Sequence, residues 1–314
     1  MSDFEQLNRL HTPVGRVDAV LDSDAYNEID DQYAIAYLLR SDERIRCEAI
    51  YAAPFYNRRL VGDPGEGMER SYSEIRKVVR LCGREDMLPN ILRGAPRYLQ
   101  DEETPVDSEA VRDLIARAKR HSAENPLYVV GIGAITNIAS AILTDRSITE
   151  SIVVVWLGGH ALHWSDTKEF NMAQDIAAAR VVFSCGVPLV QLPCFGVVSE
   201  FAVSAPELEK WLVGKNPLCD YLARNTITYQ ERYFPGKPWA KQIWDVTAVA
   251  WLLNDGERFM KERIIRAPLP EYDGFYSFPQ KAHFIKYVWS INRNELFADL
   301  FGKLTADRCA GGGE

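Results

Sequence analysis

Short apolar, β-branched runs alternate with helical patterns through the first two thirds of this 314-residue chain. Runs of this length and composition are typical of strands buried on both faces. The predicted strands are Val17–Leu21, Cys47–Ala53, Leu127–Ile132, Ile152–Leu157 and Leu189–Leu192. The predicted helices between them are Asp31–Leu39, Met68–Leu81, Ser108–His121, Asn137–Leu143 and Ile176–Cys185. This alternation predicts an α/β fold built on an open, mostly parallel sheet with helices on both faces.

The last third of the chain has a different pattern. It becomes mostly helical from about Ala205, with one predicted strand pair at Ile264–Ala267 and Phe284–Ile291. No internal repeat or low-complexity linker interrupts the chain. We therefore expect a single domain over residues 1–304, followed by a disordered tail at residues 305–314.

Composition narrows the possible partners and location. The formal net charge of −8 is spread along the chain, so we expect no general attraction to nucleic acid or to an anionic membrane. The six cysteines have no metal-binding spacing and are predicted to be free thiols in a reducing compartment. No apolar run has membrane-spanning length, and the N-terminus lacks the apolar core of a signal peptide. These features predict a cytoplasmic, soluble protein.

An unusual density of acidic residues follows the first predicted strand, in the stretch VLDSDAYNEIDDQYAIAYLL. Its carboxylates are Asp22, Asp24, Glu28, Asp30 and Asp31. One aspartate could cap the next helix, but the others add repulsion. Hard divalent cations select clustered carboxylate oxygens, so the stretch favours a cation site over a crowded helix cap.

Three other places carry polar residues next to apolar segments. The sequence GIGAITN ends one strand with small residues and continues to Thr136 and Asn137, which helix capping alone could explain. After Gly158–Gly159, a polar loop contains Glu169 and Asn171. An acceptor and an amide suit sugar hydroxyls, although a solvated loop is equally compatible with that stretch.

The third place is KQIWDVTAVAWLL, where Asp245 precedes an apolar helix. Asp245 is either a helix cap or a further carboxylate that completes a cation site. The neighbouring Trp244 is either a core residue or a platform on which a base stacks.

Together, DSDAYNEIDD, GAITN, GGHALHWSDTKEFN and WD resemble, in order and approximate spacing, the motifs of the nucleoside hydrolase family, the inosine–uridine preferring type. The family carries D-T-D-P-G-x-D-D, then G-x-x-T-N, then G-G followed by E-F-N, and finally an aspartate near the start of a late helix. The resemblance implies a Rossmann-like nucleoside hydrolase fold and calcium-dependent hydrolysis of the N-glycosidic bond of a small-molecule ribonucleoside. It also implies a homodimer or homotetramer.

Carried over by position, the resemblance also implies roles for individual residues. The implied Ca²⁺ ligands are Asp24, Asp31, Asp245 and the backbone carbonyl of Thr136. The implied ribose-binding residues are Asp30, Glu169 and Asn171. Asp24 would also be the catalytic base that accepts a proton from the attacking water, and Asp22 would orient the loop. Ca²⁺ takes six to eight oxygen ligands, which leaves room for water and a ribose diol.

Two departures from the family pattern bear on the substrate. The segment AYNEI replaces Pro-Gly-x and adds two residues, so we expect Asn27 and Glu28 to enter the pocket and alter the ribose or metal surroundings. Trp244 stands where the inosine–uridine members have a histidine that acts as a general acid. The purine-specific members resemble this sequence in having tryptophan there. Stacking on Trp244 therefore favours purine ribonucleosides.

Three alternatives remain open. A related N-ribosyl hydrolase could act on another base or a modified ribose. A non-catalytic ligand-binding member could keep the fold without turnover, although the retained Asp24, Asp31 and Asp245 argue against that loss. A Mg²⁺ phosphohydrolase could use the same aspartates, but the segment GIGAITN has no basic or glycine-rich phosphate cradle.

Overall fold

The computed structural model describes residues 3–306 of the chain. The strands are β1 (Val17–Ser23), β2 (Ile45–Ala52), β3 (Ile91–Arg93), β4 (Leu127–Gly131), β5 (Ile152–Leu157), β6 (Leu189–Leu192), β7 (Ala202–Val203), β8 (Lys241–Gln242), β9 (Met260–Arg266), β10 (Leu269–Pro270), β11 (Tyr276–Ser277) and β12 (Phe284–Ile291). The α-helices are α1 (Asp3–Arg9), α2 (Asp30–Leu39), α3 (Pro64–Leu81), α4 (Glu109–Ala118), α5 (Thr136–Thr144), α6 (Phe170–Gln174), α7 (Ile176–Ser184), α8 (Ala205–Trp211), α9 (Pro217–Tyr233), α10 (Val246–Trp251) and α11 (Arg293–Thr305).

The main sheet has eight strands in the order β3-β2-β1-β4-β5-β6-β12-β9. Every neighbouring pair is parallel except β12 and the edge strand β9, which run antiparallel. This arrangement confirms the predicted parallel sheet and the predicted strand pair in the last third.

Apolar side chains cover both faces of the sheet because successive residues of a strand point to opposite sides. Leu21 and Val130 belong to one hydrophobic cluster, together with residues of α2 and α10. Val20 and Val129 belong to a second cluster, together with residues of α5 and α7. The helices therefore pack on both faces, as predicted.

Some short elements escaped prediction. Strand β3 has only three residues, and the pairs β7–β8 and β10–β11 have two residues in each strand. Such segments are too short to show a hydrophobic period. The predicted disordered tail lies outside the described residues from position 307 onward, and the single domain over 1–304 stays a prediction. None of the helices within residues 3–306 is long and apolar enough to cross a membrane.

The strand order reverses direction between β1 and β4. From β1 the sheet grows through β2 to β3, whereas from β4 it grows through β5 to β6. The carboxyl ends of the two central strands meet where Asp22 pairs with Gly131. In open α/β sheets this switch point forms the crevice in which ligands bind. The acidic stretch that follows β1 therefore lies at the binding edge of the sheet.

Candidate active site

A cavity of about 210 Å³ opens at the carboxyl ends of β1, β4, β5 and β6. The predicted site residues that line it are Asp24, Asn27, Asp30, Asp31, Glu169, Asn171, Trp244 and Asp245. The sequence separates these residues by more than two hundred positions, and the fold brings them to one place. Thr136 is the predicted site residue that does not line this cavity.

Three carboxylates form the centre of the acidic wall. Asp30, Asp31 and Asp245 are buried and each offers an oxygen within 4.8 Å of the others. None of the three acts as a side-chain helix cap, because α2 begins after Ile29 and Asp245 makes no cap hydrogen bond to α10. Their oxygens are thus directed to a shared space, and the helix-cap interpretation does not account for them.

Asp24 adds a fourth carboxylate to this wall. It is buried, and its Oδ2 has no hydrogen-bond partner among the described residues. A Cβ on Gly133 would lie 3.0 Å from Asp24 Oδ1, so the small residue lets the end of β4 approach the carboxylate. A buried charged oxygen without a partner is costly, and a cation is the ligand that would satisfy it.

Burial and mutual repulsion raise the pKa values of these acids. Burial, with added repulsion from Asp30, raises the pKa of Asp31 to about 8. The pKa values of Asp24 and Asp245 also lie well above the ordinary value, first because of burial and then because of the neighbouring aspartates. A cluster of this kind binds either protons or a cation.

Lys241 offsets part of this negative charge. Its Nζ forms an ion pair with Glu28 and lies 3.8 Å from Asp30 Oδ1. Burial lowers the pKa of Lys241, but attraction to Asp30 and Glu28 outweighs burial and raises it overall. Burial raises the pKa of Asp30, and the opposing effect of Lys241 limits the rise to about 6. Glu28, from the inserted segment, thereby contacts the strand that precedes Asp245.

Thr136 has a structural contact instead of a place in the cavity. Its hydroxyl donates to Asp175 Oδ2 at 2.6 Å, and it is the first residue of α5. Ile132, which directly follows β4 and lines the cavity, has a carbonyl that accepts from Asn171 Nδ2 at 3.2 Å. The role of the Thr136 backbone carbonyl as a cation ligand stays a prediction.

Asn137 connects the first acidic stretch to the neighbouring strands. Its Nδ2 donates to Asp22 Oδ1 at 2.7 Å, and its Oδ1 accepts from the Ala95 backbone N–H at 2.7 Å. Helix α5 has no side-chain cap, so capping does not explain this asparagine. Burial raises the pKa of Asp22 to about 7, and the hydrogen bond from Asn137 opposes the rise.

Glu169 and Asn171 are buried, which excludes the solvated-loop interpretation. The Glu169 carboxylate accepts from the backbone N–H groups of Gly159, Asn171 and Met172. The Asn171 amide donates to the carbonyls of Ile132 and Leu157 at 3.2 and 3.1 Å. These contacts fix both side chains against the ends of β4 and β5. The other polar atom of the Asn171 side chain, Oδ1, is a hydrogen-bond acceptor.

An aromatic wall faces the acidic one. The rings of Trp164 and Phe195 stack at 5.4 Å, and Trp244 meets Phe195 edge-on at 5.4 Å. The His160 ring lies 5.0 Å from Phe195. Neither His160 nor Phe195 was predicted as a site residue, although both follow the carboxyl ends of strands, those of β5 and β6, where ligands bind. The cavity therefore combines clustered carboxylates with flat apolar surfaces.

Comparison with known proteins identifies the class to which this fold and site belong. The model of the inosine-uridine preferring nucleoside hydrolase family matches residues 19–274. The chain belongs to this family, which confirms the resemblance seen in its motifs.

Individual relatives are more distant. Over 148 residues the chain is 29% identical to the pyrimidine-specific ribonucleoside hydrolase RihA of Salmonella enteritidis PT4, a match that covers 45% of this chain and 47% of RihA. The chain thus spans about half the length of the curated relatives it matches. The plant nucleoside hydrolase PpNRh1 has a similar fold, with a TM-score of 0.72, 18% identity and coverage of 93% of this chain and 99% of that one. A purine-preferring ribonucleoside hydrolase from Gardnerella vaginalis has a similar fold with a TM-score of 0.71 and 18% identity. That match covers 92% of this chain and 98% of the Gardnerella chain.

Proposed function

We propose that this chain is a calcium-dependent hydrolase that cleaves the N-glycosidic bond of ribonucleosides to free base and ribose. The observation that carries the proposal is the set of buried carboxylates that converge at the switch point of the sheet, opposite an aromatic wall. Carboxylates suit a cation and sugar hydroxyls, and aromatic faces suit a base. Assembly into a homodimer or homotetramer and a cytoplasmic location stay predictions from the resemblance and the composition.

The donor set fits a hard cation. Asp24, Asp31 and Asp245 would supply carboxylate oxygens, and the backbone carbonyl of Thr136 would be the neutral donor. The buried Asp24 Oδ2 has no hydrogen-bond partner among the described residues, and such a ligand would satisfy it. When bound, Ca²⁺ would orient the ribose diol and make the attacking water more acidic.

The remaining polar residues suit the ribose. Asp30 and Glu169 can accept hydrogen bonds from hydroxyls, and so can Oδ1 of Asn171. The hydrogen bonds that fix Glu169 and Asn171 to the backbone reduce the entropy lost when the sugar binds.

The chemistry follows from these positions. The bond between C1′ and the base nitrogen breaks, and its electron pair leaves with the base while positive charge develops on the ribosyl group. Nearby carboxylates stabilise that charge. The oxygen of the attacking water bonds to C1′, and Asp24 accepts a proton from that water. The products are ribose and the free base.

Purine ribonucleosides are the proposed substrates, because Trp244 lines the cavity and its indole could stack on a fused ring. The relatives differ in base preference: RihA of Salmonella is pyrimidine-specific, whereas the Gardnerella hydrolase is purine-preferring. A uridine preference over inosine would contradict the proposal for this chain.

The test measures ribose release from a panel of nucleosides, with calcium and with a chelator. We expect inosine hydrolysis that stops on chelation and falls by at least about 10²-fold in Asp24→Ala. Asp18→Asn is the matched control, because Asp18 lies on β1, the strand that directly precedes Asp24, and is already paired with Arg46. Undiminished turnover by Asp24→Ala would refute the assigned base. No ribose from any nucleoside, with calcium bound, would favour a non-catalytic ligand-binding protein.

A second candidate substrate has an altered ribose. Asn27 and Glu28 of the inserted segment both line the cavity, where their amide and carboxylate could recognise a changed hydroxyl pattern. Including 2′-deoxy, arabino and 5′-substituted purine nucleosides in the panel tests it. Faster release from one of these than from the ribonucleoside would favour the second candidate.

A further inference from the structure

The departing base needs a hydrogen-bond donor, and the indole of Trp244 is poorly suited to be that donor. As the bond to C1′ breaks, negative charge develops on the base, and a donor near an acceptor nitrogen of the ring would stabilise it. The indole of Trp244 has a single weakly acidic N–H and contributes mainly an apolar face. The donor must therefore come from another residue on the aromatic side of the cavity.

His160 is in that position. It follows Gly158–Gly159 at the end of β5, lines the cavity and is only 4% exposed. Its ring lies 5.0 Å from the ring of Phe195 and 6.1 Å from that of Trp164. The imidazole thus belongs to the aromatic wall against which a base would stack.

The hydrogen bonds of the imidazole define which nitrogen can donate. The backbone N–H of Phe195 donates to His160 Nδ1 at 3.3 Å, so Nδ1 carries a lone pair and Nε2 carries the hydrogen. Within residues 3–306 no hydrogen-bond partner faces Nε2. Burial lowers the pKa of His160, in agreement with a neutral ring that offers one N–H.

The loop that carries His160 is held on both sides of the ring. Cys194 N–H donates to the Gly159 carbonyl at 2.8 Å, and Ala161 N–H donates to the Phe195 carbonyl at 2.9 Å. These bonds join the ends of the adjacent strands β5 and β6. The imidazole is therefore pre-organised, and no rearrangement is needed when a base arrives.

We propose that His160 is a catalytic residue whose Nε2–H donates a hydrogen bond to an acceptor nitrogen of the departing purine. This role rests on the proposed hydrolase function. The bond from C1′ to the base nitrogen breaks, the electron pair stays with the base, and the hydrogen bond stabilises the charge that develops there. The Nε2 proton stays on the imidazole, and the released base takes a proton from solvent water.

The experiment compares two leaving groups in the full-length protein with calcium. Inosine needs stabilisation of its leaving base, whereas the nitrophenolate of p-nitrophenyl β-D-ribofuranoside is a good leaving group without it. We expect His160→Phe, which keeps an aromatic ring and removes the donor, to lose about 10²-fold in kcat/KM for inosine. We expect the loss for the nitrophenyl riboside to be at least tenfold smaller. His160→Gln, which restores an N–H near the position of Nε2, should recover part of the inosine activity.

Controls separate this role from a packing effect. His163→Phe makes the same change three residues later, at an exposed position outside the cavity lining, and should leave both rates unchanged. Thermal unfolding of His160→Phe identifies a folding defect, and in that case His160→Gln supplies the comparison. Equal losses for the two substrates, or no loss for inosine, would overturn the assignment. A wild-type protein that releases ribose from neither substrate would overturn the proposed function as well.

Discussion

At the scale of single residues, the inserted segment has a defined partner. Glu28 is 40% exposed at the cavity, and its carboxylate pairs with Lys241, which is 7% exposed. The two residues are 213 positions apart, so the ion pair connects the first acidic stretch to the segment that carries Asp245. The carboxylate that the inserted segment adds is thus paired with a cation from a distant part of the chain. This pairing limits the repulsion that another acid would add to the cluster.

Lys241→Met should destabilise the protein by about 1–3 kcal/mol. The substitution keeps the length of the side chain but leaves Asp30 and Glu28 without their cation, and Glu28 recovers only part of its hydration. Urea unfolding measures the change. The double variant Glu28→Gln/Lys241→Met should regain part of the loss.

The exposed pair of Lys261 and Glu257 provides the control. Lys261→Met should change stability by less than about 1 kcal/mol. If Lys241→Met behaved like this control, the buried ion pair would not contribute to holding the inserted segment.

At the scale of elements, the site depends on a close crossing next to β3. Gly94 follows that strand, and a Cβ there would overlap the Ala52 carbonyl oxygen at the end of β2. The same Cβ would also overlap the Asn137 amide, which donates to Asp22. Strand β3, which was not predicted, therefore leads to the close contact that holds Asn137. Through its hydrogen bond to Asp22, Asn137 supports the acidic stretch.

Gly94→Ala should lower the free energy of unfolding by about 1–3 kcal/mol, because backbone atoms must move to admit the methyl group. Thermal and urea unfolding measure the loss, and calcium affinity should fall with it through Asn137 and Asp22. Gly302→Ala is the matched control, since Gly302 lies within α11 with open space around it. That substitution should stabilise the helix by about 0.5–1 kcal/mol. Similar stabilities for the two variants would show that the crossing tolerates a side chain.

At the scale of the whole molecule, the acidic cluster opposes folding when no cation is bound. Burial raises the pKa values of Asp22, Asp30 and Asp31 to about 7, 6 and 8, from an ordinary value of 3.8. At pH values between the ordinary pKa and these raised pKa values, the three carboxyl groups bind more protons in the folded chain than in the unfolded chain. The contribution of these groups to stability is therefore full below about pH 4 and is lost as the pH rises through the folded values.

Asp31→Asn should reveal this cost. In chelator at pH 8 we expect the variant to have a Tm about 2 °C or more above that of the wild type, because one buried charge is removed. The difference should disappear by pH 4. Comparing the two proteins cancels contributions common to both, such as that of His283, whose pKa burial lowers to about 4.

At pH 8, calcium should raise the Tm of the wild type above that of Asp31→Asn. Binding to the folded state stabilises the wild type by mass action, whereas the variant lacks one ligand and should respond weakly while losing activity. Differential scanning calorimetry with and without calcium measures both effects. A wild-type Tm that did not change with calcium would contradict the metal assignment.

Much of the fold could be read from the chain before any coordinates. The five predicted strands of the first two thirds match observed ones to within two residues at each end, because buried parallel strands have a strong local signature. The acidic stretch after β1 was also recognised locally. The pairing of Glu28 with Lys241 was not predicted, because nothing in the local sequence of either segment indicates that the two are in contact.

By itself, the sequence determined the strand–helix alternation, the polar residues at the strand ends and the family, since all of these reside in local patterns and in the order of motifs. Only the tertiary structure decided how each polar side chain is used. It turned Asp245 into the cavity instead of onto a helix end and brought His160 onto the aromatic wall. Caps and ligands use the same residue types, and the difference depends on directions in space that are set by strand order and by the packing of loops on neighbouring strands.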